Sequence, residues 1–281
     1  MVLNRMLDLK TDIYKAYLHY IDSFAESTGL HPLLVLKKEH SLRVAQEAAL
    51  LAGLEGFTSE ETVLAEICGL LHDAGRFFQF TRYHTFHDAV SINHGEKSAE
   101  ILEQSGLLNN FSVEQKKIIV ASARYHNIRF LPVDCTALRF VKTVRDSDKL
   151  DIFFTISQAI NHKVYKNYQE IFWNFPPEKP ANPELIRELE EKTPCDMKKV
   201  QSRTDFLLLM YSWVYDFHFR SSLEQLIKRG QLELIKAAMI TDPALEKAME
   251  NVQKFINEQQ ITKTVAANVQ MRLNNRLQQT D

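Results

Sequence analysis

The chain has 281 residues, 34 of them basic and 36 acidic, with a net charge of −2 and 45% hydrophobic residues. That is length for one large or two small domains, with apolar mass enough for a sizeable core. A near-balanced charge with no dense basic stripe speaks against a sequence-independent grip on nucleic acid, and three scattered cysteines, Cys68, Cys135 and Cys195, speak against a disulfide framework and for a reducing compartment.

The N-terminal stretch MVLNRMLDLKTDIYKAYLHY carries charge throughout and does not read as a signal peptide. No segment reaches about 18 uninterrupted apolar residues, the length a membrane span needs. The expectation is a cytoplasmic protein with neither membrane nor nucleic acid among its partners.

Apolar periodicity predicts a first helix over 8–28 and a second over 34–52, with His40, Val44 and Leu51 on one face. A third, over 60–74, aligns Leu64, Cys68 and His72 at i, i+4 and i+8, and Cys68 reads as a small buried hydrophobe. The following segment, QFTRYHTFHDAVS, has no clear helical period and reads as a loop. Asn93 with Glu96 forms an N-cap and N3 pair that opens a helix near His94; Ser112 with Gln115 does the same for a helix running to about Tyr125. A helix over 136–160 places Leu138, Val141, Arg145, Asp148 and Ile152 on one face.

Five of the eight prolines fall in 176–194, which reads as an exposed excursion with a short charged helix. Helical patterns resume at 203–228 and 231–279. The aromatic residues Phe206, Tyr211, Trp213, Tyr215, Phe217 and Phe219 read as core rather than as a base-stacking platform. The last 30 residues, rich in Gln and Asn, form either a docked helix or a frayed end. Gly29, Gly53, Gly56, Gly75, Gly106 and Gly230 follow or separate helical patterns as C-cap glycines do. None lies between Gly106 and Gly230, too few for a sheet with many tight turns. The fold class is therefore all-α.

On these predicted helices lie His40, the dipeptide His72-Asp73, His94, His126 and Asp148, in the order H…HD…H…H…D. Imidazole and carboxylate groups on buried helix faces are costly unless they share a cation. Neighbours on a helix differ by about 100°, so His72 and Asp73 can both turn toward one centre. The other groups come from separate helices, as in bundle-core metal sites.

This ordered set resembles the HD superfamily of metal-dependent phosphohydrolases. Leu70-Leu71 before the dipeptide and Ala74-Gly75-Arg76 after it are similar to the family's HDxGR/K form. His40 with Val44-Ala45 is similar to its HxxxVA helix, and Asp148-Lys149-Leu150 to its ADKL. The resemblance covers about residues 33–155. It implies an HD-domain-like helical bundle with additional N- and C-terminal helices. The expectation is one domain over 1–281, with a metal core at about 30–160 and a helical extension at about 195–281. The terminal helices leave an oligomer possible but unsupported, since no heptad run points to a coiled coil.

The resemblance further implies that His40, His72, Asp73 and Asp148 hold one metal, that Asp73 bridges if there are two, and that His94 and His126 match the extra histidines of binuclear members. Asp146 competes with Asp148, and the family pattern favours Asp148. Four histidines with two carboxylates suit Fe, Mn, Co or Zn better than Mg or Ca, one or two ions per chain. The implied activity is hydrolysis of a small phosphorylated substrate such as a nucleotide, by a phosphomonoesterase or phosphodiesterase using metal-activated water.

Asp73, Arg76 and Lys149 are the expected catalytic groups. Arg76 follows Asp73 by three positions and should project near the same face; Lys149 adjoins Asp148, a position that in the family lies close to the site. Arg43 reads as solvated. Arg82, His84 and His87 fall in the loop, where the two histidines read as ordinary loop residues, and His19, His31, His162 and His218 match no motif. Two other functions stand beside it: a di-iron oxygenase of the same ligand order, marked by an iron-only requirement and oxygen consumption, and a non-catalytic metal- or ligand-binding module, against which the intact ligand set argues.

Overall fold

A computed structural model describes residues 2–132, 137–162, 175–176 and 179–259. Eleven α-helices are delimited among them, with no strand. They are α1 (Val2–Asp22), α2 (Pro32–Leu54), α3 (Ser59–Leu71), α4 (Ala74–Tyr83), α5 (His94–Gln104), α6 (Val113–Tyr125), α7 (Leu138–Asn161), α8 (Pro183–Glu190), α9 (Arg203–Ser212), α10 (Arg220–Lys228) and α11 (Gln231–Ala237). A further helical stretch covers 243–259. None of these helices is long and apolar enough to cross a membrane. The described residues divide into two compact units, one from 1–173 with 217–231, the other from 174–216 with 232–281. The last 22 residues, like Cys135, lie outside the described set.

Local chemistry sets the helix ends. Pro32 stands at the first position of α2, where its missing N–H is not needed. Thr58 and Glu61 close a reciprocal capping box on α3, as Ser112 and Gln115 do on α6. Asn93 Oδ1 accepts from Glu96 N at 3.1 Å and opens α5 at His94, as expected. Gly29, Gly56, Gly106 and Gly230 adopt positive φ. Gly75 does not follow a helix, as the sequence suggested, but lies inside α4.

In the first unit α3 is central and packs against α1, α2, α6 and α7. From α1 it receives the stripe Met6, Leu9, Ile13, Tyr17 and Ile21, all buried; each such side chain contributes roughly 1.5–3 kcal/mol on leaving water. Tyr20 of α1 donates its hydroxyl to Ala74 O at 3.0 Å, tying α1 to the start of α4. Helix α7 is buried almost all round: between Phe140 and Phe153 only Lys142, Asp148 and Ile152 retain moderate exposure. Helix α10 packs on α7 and α2. Its start is held by Asp146, whose carboxylate accepts from His218 N, Phe219 N and Ser222 Oγ at 2.7–3.1 Å.

Two glycines allow the helices that carry the site to approach. A Cβ on Gly75 would stand 2.7 Å from His94 O and from Ser98 N; one on Gly95 would stand 2.5 Å from Asn127 Oδ1 and 2.9 Å from Arg124 O. Any larger residue would separate α4 from α5, or α5 from α6.

In the second unit α8 packs on α9. The proline-rich stretch is therefore not simply an exposed excursion: Ala181, Leu185, Ile186 and Leu189 are buried, because the charged α8 is strongly one-sided. The helical patterns expected over 203–228 form two helices, parted between Ser212 and Arg220 by the 3-10 turn Trp213–Tyr215 and an extended Phe219. Phe206 and Tyr211 are buried in this unit, and Tyr215 meets Phe255 edge-on at 5.0 Å.

Candidate metal centre

The third predicted helix does not run through His72-Asp73. It ends at Leu71, α4 starts at Ala74, and the dipeptide is the junction. His72 keeps helical angles, whereas Asp73 has φ −104° and ψ 21°. Asp73 occupies the N-cap position of α4, yet its side chain caps nothing. Its carboxylate turns into the bundle instead. His94 is the first residue of α5 and His126 the first after α6, while His40 and Asp148 lie within α2 and α7.

All six residues converge. Asp73 Oδ2 lies 3.5 Å from both His40 Nε2 and His72 Nε2. Asp148 Oδ1 is 3.2 Å from His40 Nε2 and 3.7 Å from His72 Nε2. The other oxygen, Asp73 Oδ1, lies 3.5 Å from both His94 Nε2 and His126 Nε2. The paired Nε2 atoms are 3.3 Å apart for His40 and His72, and 3.0 Å apart for His94 and His126. One carboxylate thus stands between two histidine pairs and faces each with one oxygen. Asp146 is absent from the centre because it holds the start of α10.

Every Nδ1 is engaged on the outer side. His72 Nδ1 donates to Gly69 O and His126 Nδ1 to Ala123 O, each at 2.7 Å. His40 Nδ1 donates to Asp151 at 2.7 Å and His94 Nδ1 to Asp88 at 2.6 Å. A carbonyl can only accept, and Asp88 and Asp151 are held below the usual carboxylate range, by hydrogen bonds from these histidines that outweigh burial. Each Nδ1 therefore carries a proton, and each ring turns its Nε2 toward the centre. Carboxylate and carbonyl partners of this kind fix ring orientation at metal sites.

The residues fit a bound cation. Paired Nε2 atoms 3.0–3.3 Å apart, each pair facing one oxygen of Asp73, make donor sets that a single cation could share. Asp73 Oδ1 is buried and makes no hydrogen bond, with Arg76 Nε 3.6 Å away, so this oxygen keeps its lone pairs free for a cation. Burial and the Lys37 ammonium oppose protonation of His40, yet hydrogen bonds with Asp148, Asp151 and Asp73 raise it to about 10. His94 is lowered to about 3, by burial and the charge of Arg76. Asp73 and Asp148 stay well below the carboxylate range despite burial, Asp73 chiefly through Lys37 and His72, Asp148 through His40 and His72. Three sets of side chains bring ligand atoms close enough for one ion: His40, His72 and Asp73; His72, His126 and Asp148; Asp73, His94 and His126.

The expected catalytic cations are placed differently from one another. Arg76 is buried; its Nη1 donates to Gln79 Oε1, Phe86 O and Asp88 Oδ1 at 2.6–3.0 Å, and its Nε lies 3.6 Å from Asp73 Oδ1. Lys149 is 8% exposed on α7. Arg43 is not simply solvated. It grips Asp151 with Nε and Nη2 at 2.6 and 3.0 Å, and so backs the carboxylate behind His40. The segment after the dipeptide is mostly helical: α4 runs through Arg82 to Tyr83, and His84 ends it at φ 54°.

Several site residues escape the sequence reading. Asp88, Asp151 and Gln79 are among them, and so is Lys37, whose Nζ lies 2.7 Å from Asp73 Oδ2. Lys37 is one helical turn before His40, and Asp151 three residues after Asp148. Those i, i+3 spacings were the available signal. Arg145 is a further one. Its Nη1 donates to the carbonyls of Tyr125 and His126 at 3.3 and 3.2 Å, and to Ile128 O, closing the end of α6 beside His126.

No curated protein and no solved structure matches the chain. Residues 38–153 match the family model of the HD domain, a segment that is less than half of the 281 residues and contains all six converging side chains. That segment is therefore an HD domain, in agreement with the resemblance carried by the ordered histidines and aspartates.

Proposed function

We propose that this protein is a binuclear phosphohydrolase that cleaves a small phosphate ester such as a nucleotide, using two divalent transition metals drawn from Fe, Mn, Co and Zn. The observation that carries the reading is the pair of Asp73 oxygens, each 3.5 Å from two imidazole Nε2 atoms. Bound in such a centre, divalent ions supply an activated water and offset charge growing on the phosphoryl oxygens.

The chain's own residues do the rest. Asp73 holds both positions in register with its two oxygens. His40, His72 and Asp148 complete one position; His94 and His126 complete the other. The Nδ1 acceptors keep all four rings facing inward. Asp148, 19% exposed at its side chain, marks the open side of the centre, where Asp73 is only 2% exposed. In this reading Arg76 is a positioning residue, because its guanidinium is spent on Asp88, Gln79 and Phe86 O. Lys149, next to Asp148, remains the candidate for a phosphate contact. The sparse cysteines support a cytoplasmic setting.

The test is phosphate release from a panel of monoesters, cyclic nucleotides and dinucleoside polyphosphates, measured for the wild type and for Asp73→Ala. The reading expects turnover of at least one class by the wild type and loss of both metal and turnover in the variant. Full activity in Asp73→Ala sinks it. So does oxygen consumption without phosphate release, which assigns the centre to an oxygenase.

A further inference from the structure

We infer that Lys37 is a phosphate-binding residue of this centre, held on Asp73 until substrate and metal are present; the inference rests on the phosphohydrolase reading. Lys37 lies one residue before the segment that matches the HD-domain model, so its role is read from this chain's geometry alone. Residues 37 and 40 share a face of α2, which brings the ammonium to the same centre as His40. Its Nζ lies 2.7 Å from Asp73 Oδ2, the oxygen that faces His40 and His72. A divalent cation shared by that oxygen and those two rings repels an ammonium in contact with the same oxygen. Lys37 must then swing aside.

It has room and means to do so. The side chain is 21% exposed whereas Asp73 is 2% exposed, so the ammonium approaches from the open side. A lysine is a mobile point charge on a four-carbon stem. The Phe86 ring lies 5.7 Å from Nζ and offers an aromatic face beside which the displaced ammonium stays partly sheltered. The two arginines nearest the centre lack this freedom. Arg43 is clamped on Asp151 and Thr155, and Arg76 is buried on Asp88, Gln79 and a backbone carbonyl. Release from Asp73 leaves Lys37 as a positive charge beside the centre, where a phosphoryl oxygen is the complementary anion. The assignment concerns binding alone: no bond forms or breaks at Lys37.

The experiment titrates inorganic phosphate into metal-loaded protein by calorimetry, for the wild type, Lys37→Met and Lys37→Arg, with metal counted on each sample. Lys37→Met is expected to hold at least as much metal as the wild type, since a competing cation is gone, and to bind phosphate at least tenfold more weakly. Lys37→Arg is expected to stay within a few fold of the wild type. Wild-type phosphate affinity in Lys37→Met at equal metal content overturns the inference. Loss of metal from Lys37→Met also overturns it, because that makes Lys37 a structural partner of Asp73. If the wild type takes up metal and releases phosphate from esters while Lys37→Met binds phosphate unchanged, this inference alone fails. If the wild type takes up no metal, the phosphohydrolase reading fails and takes the inference with it.

Discussion

Replacing Asp88 with alanine separates ring orientation from ligand identity. Asp88 touches no position where a metal is expected. Its Oδ2 accepts from His94 Nδ1 at 2.6 Å and from His94 N at 3.3 Å; its Oδ1 accepts from Arg76 at 3.0 Å and from Gln79 at 2.9 Å. Alanine frees the His94 ring and its tautomer. Loss of such a partner weakens metal binding about 10–100-fold, about 1.4–2.8 kcal/mol at 1.4 kcal/mol per decade. It also takes a carboxylate from buried Arg76. Breaking a buried pair costs about 3–5 kcal/mol; because the Asp88 side chain is 30% exposed, about 2–3 kcal/mol is the discounted expectation. Urea unfolding in chelator reads the second loss, and stepwise metal titration the first. Asp151→Ala is the mirror experiment, since Asp151 holds His40. The two variants should weaken different binding steps. Identical losses at one step, or no loss in either variant, refute the picture of two positions joined only by Asp73.

Gly95→Ala should destabilise by about 1–3 kcal/mol through overpacking and weaken the His94–His126 position, because the added Cβ meets Arg124 O and Ala123 O at 2.9 and 3.1 Å; wild-type thermal stability and metal content together argue against that tight α5–α6 approach. Asp146→Ala should lose about 3 kcal/mol in urea, leaving buried donors of the 218–222 segment unpaired, while keeping its metal. Asp148→Ala should do the reverse, losing metal with little change in chelator-treated stability, and an exchange of these outcomes would exchange the two residues' roles. Stripping metal should lower the thermal midpoint. At a thousandfold excess over Kd the linked stabilisation is about 4 kcal/mol, which at about 2–4 °C per kcal/mol makes about 8–16 °C; an unchanged midpoint contradicts a metal-coupled fold.

Much of the helical frame was legible in the chain because its signals are local. Asn93 and Ser112 cap helices within three residues of themselves, and the α2 and α3 faces that carry His40 and His72 repeat at helical spacing. Other features were hidden for physical reasons. The break at His72-Asp73 has no proline or positive-φ residue to announce it; a change in the backbone of Asp73 alone re-aims its carboxylate. Helix α7 is buried nearly all round, so periodicity grouped Arg145 with Asp148 although Arg145 serves the end of α6. Gly75 looked like a helix stop and is a point of close approach. Arg43 and Asp151 act through partners 108–112 residues away in the chain, and pairing at that range leaves no periodic trace. The same holds for residues 217–231, which pack with the first unit although the chain on either side belongs to the second.

The central claim is that one carboxylate, Asp73, joins two metal positions. Elemental analysis of protein purified without added metal or chelator, with metal counted per chain for the wild type, His94→Ala and Asp73→Ala, tests it most directly. The account predicts about two transition-metal ions in the wild type, about one when the His94–His126 position is broken, and none when Asp73 is removed. A wild type that holds no metal even after reconstitution, or an Asp73→Ala variant that keeps both ions, contradicts it.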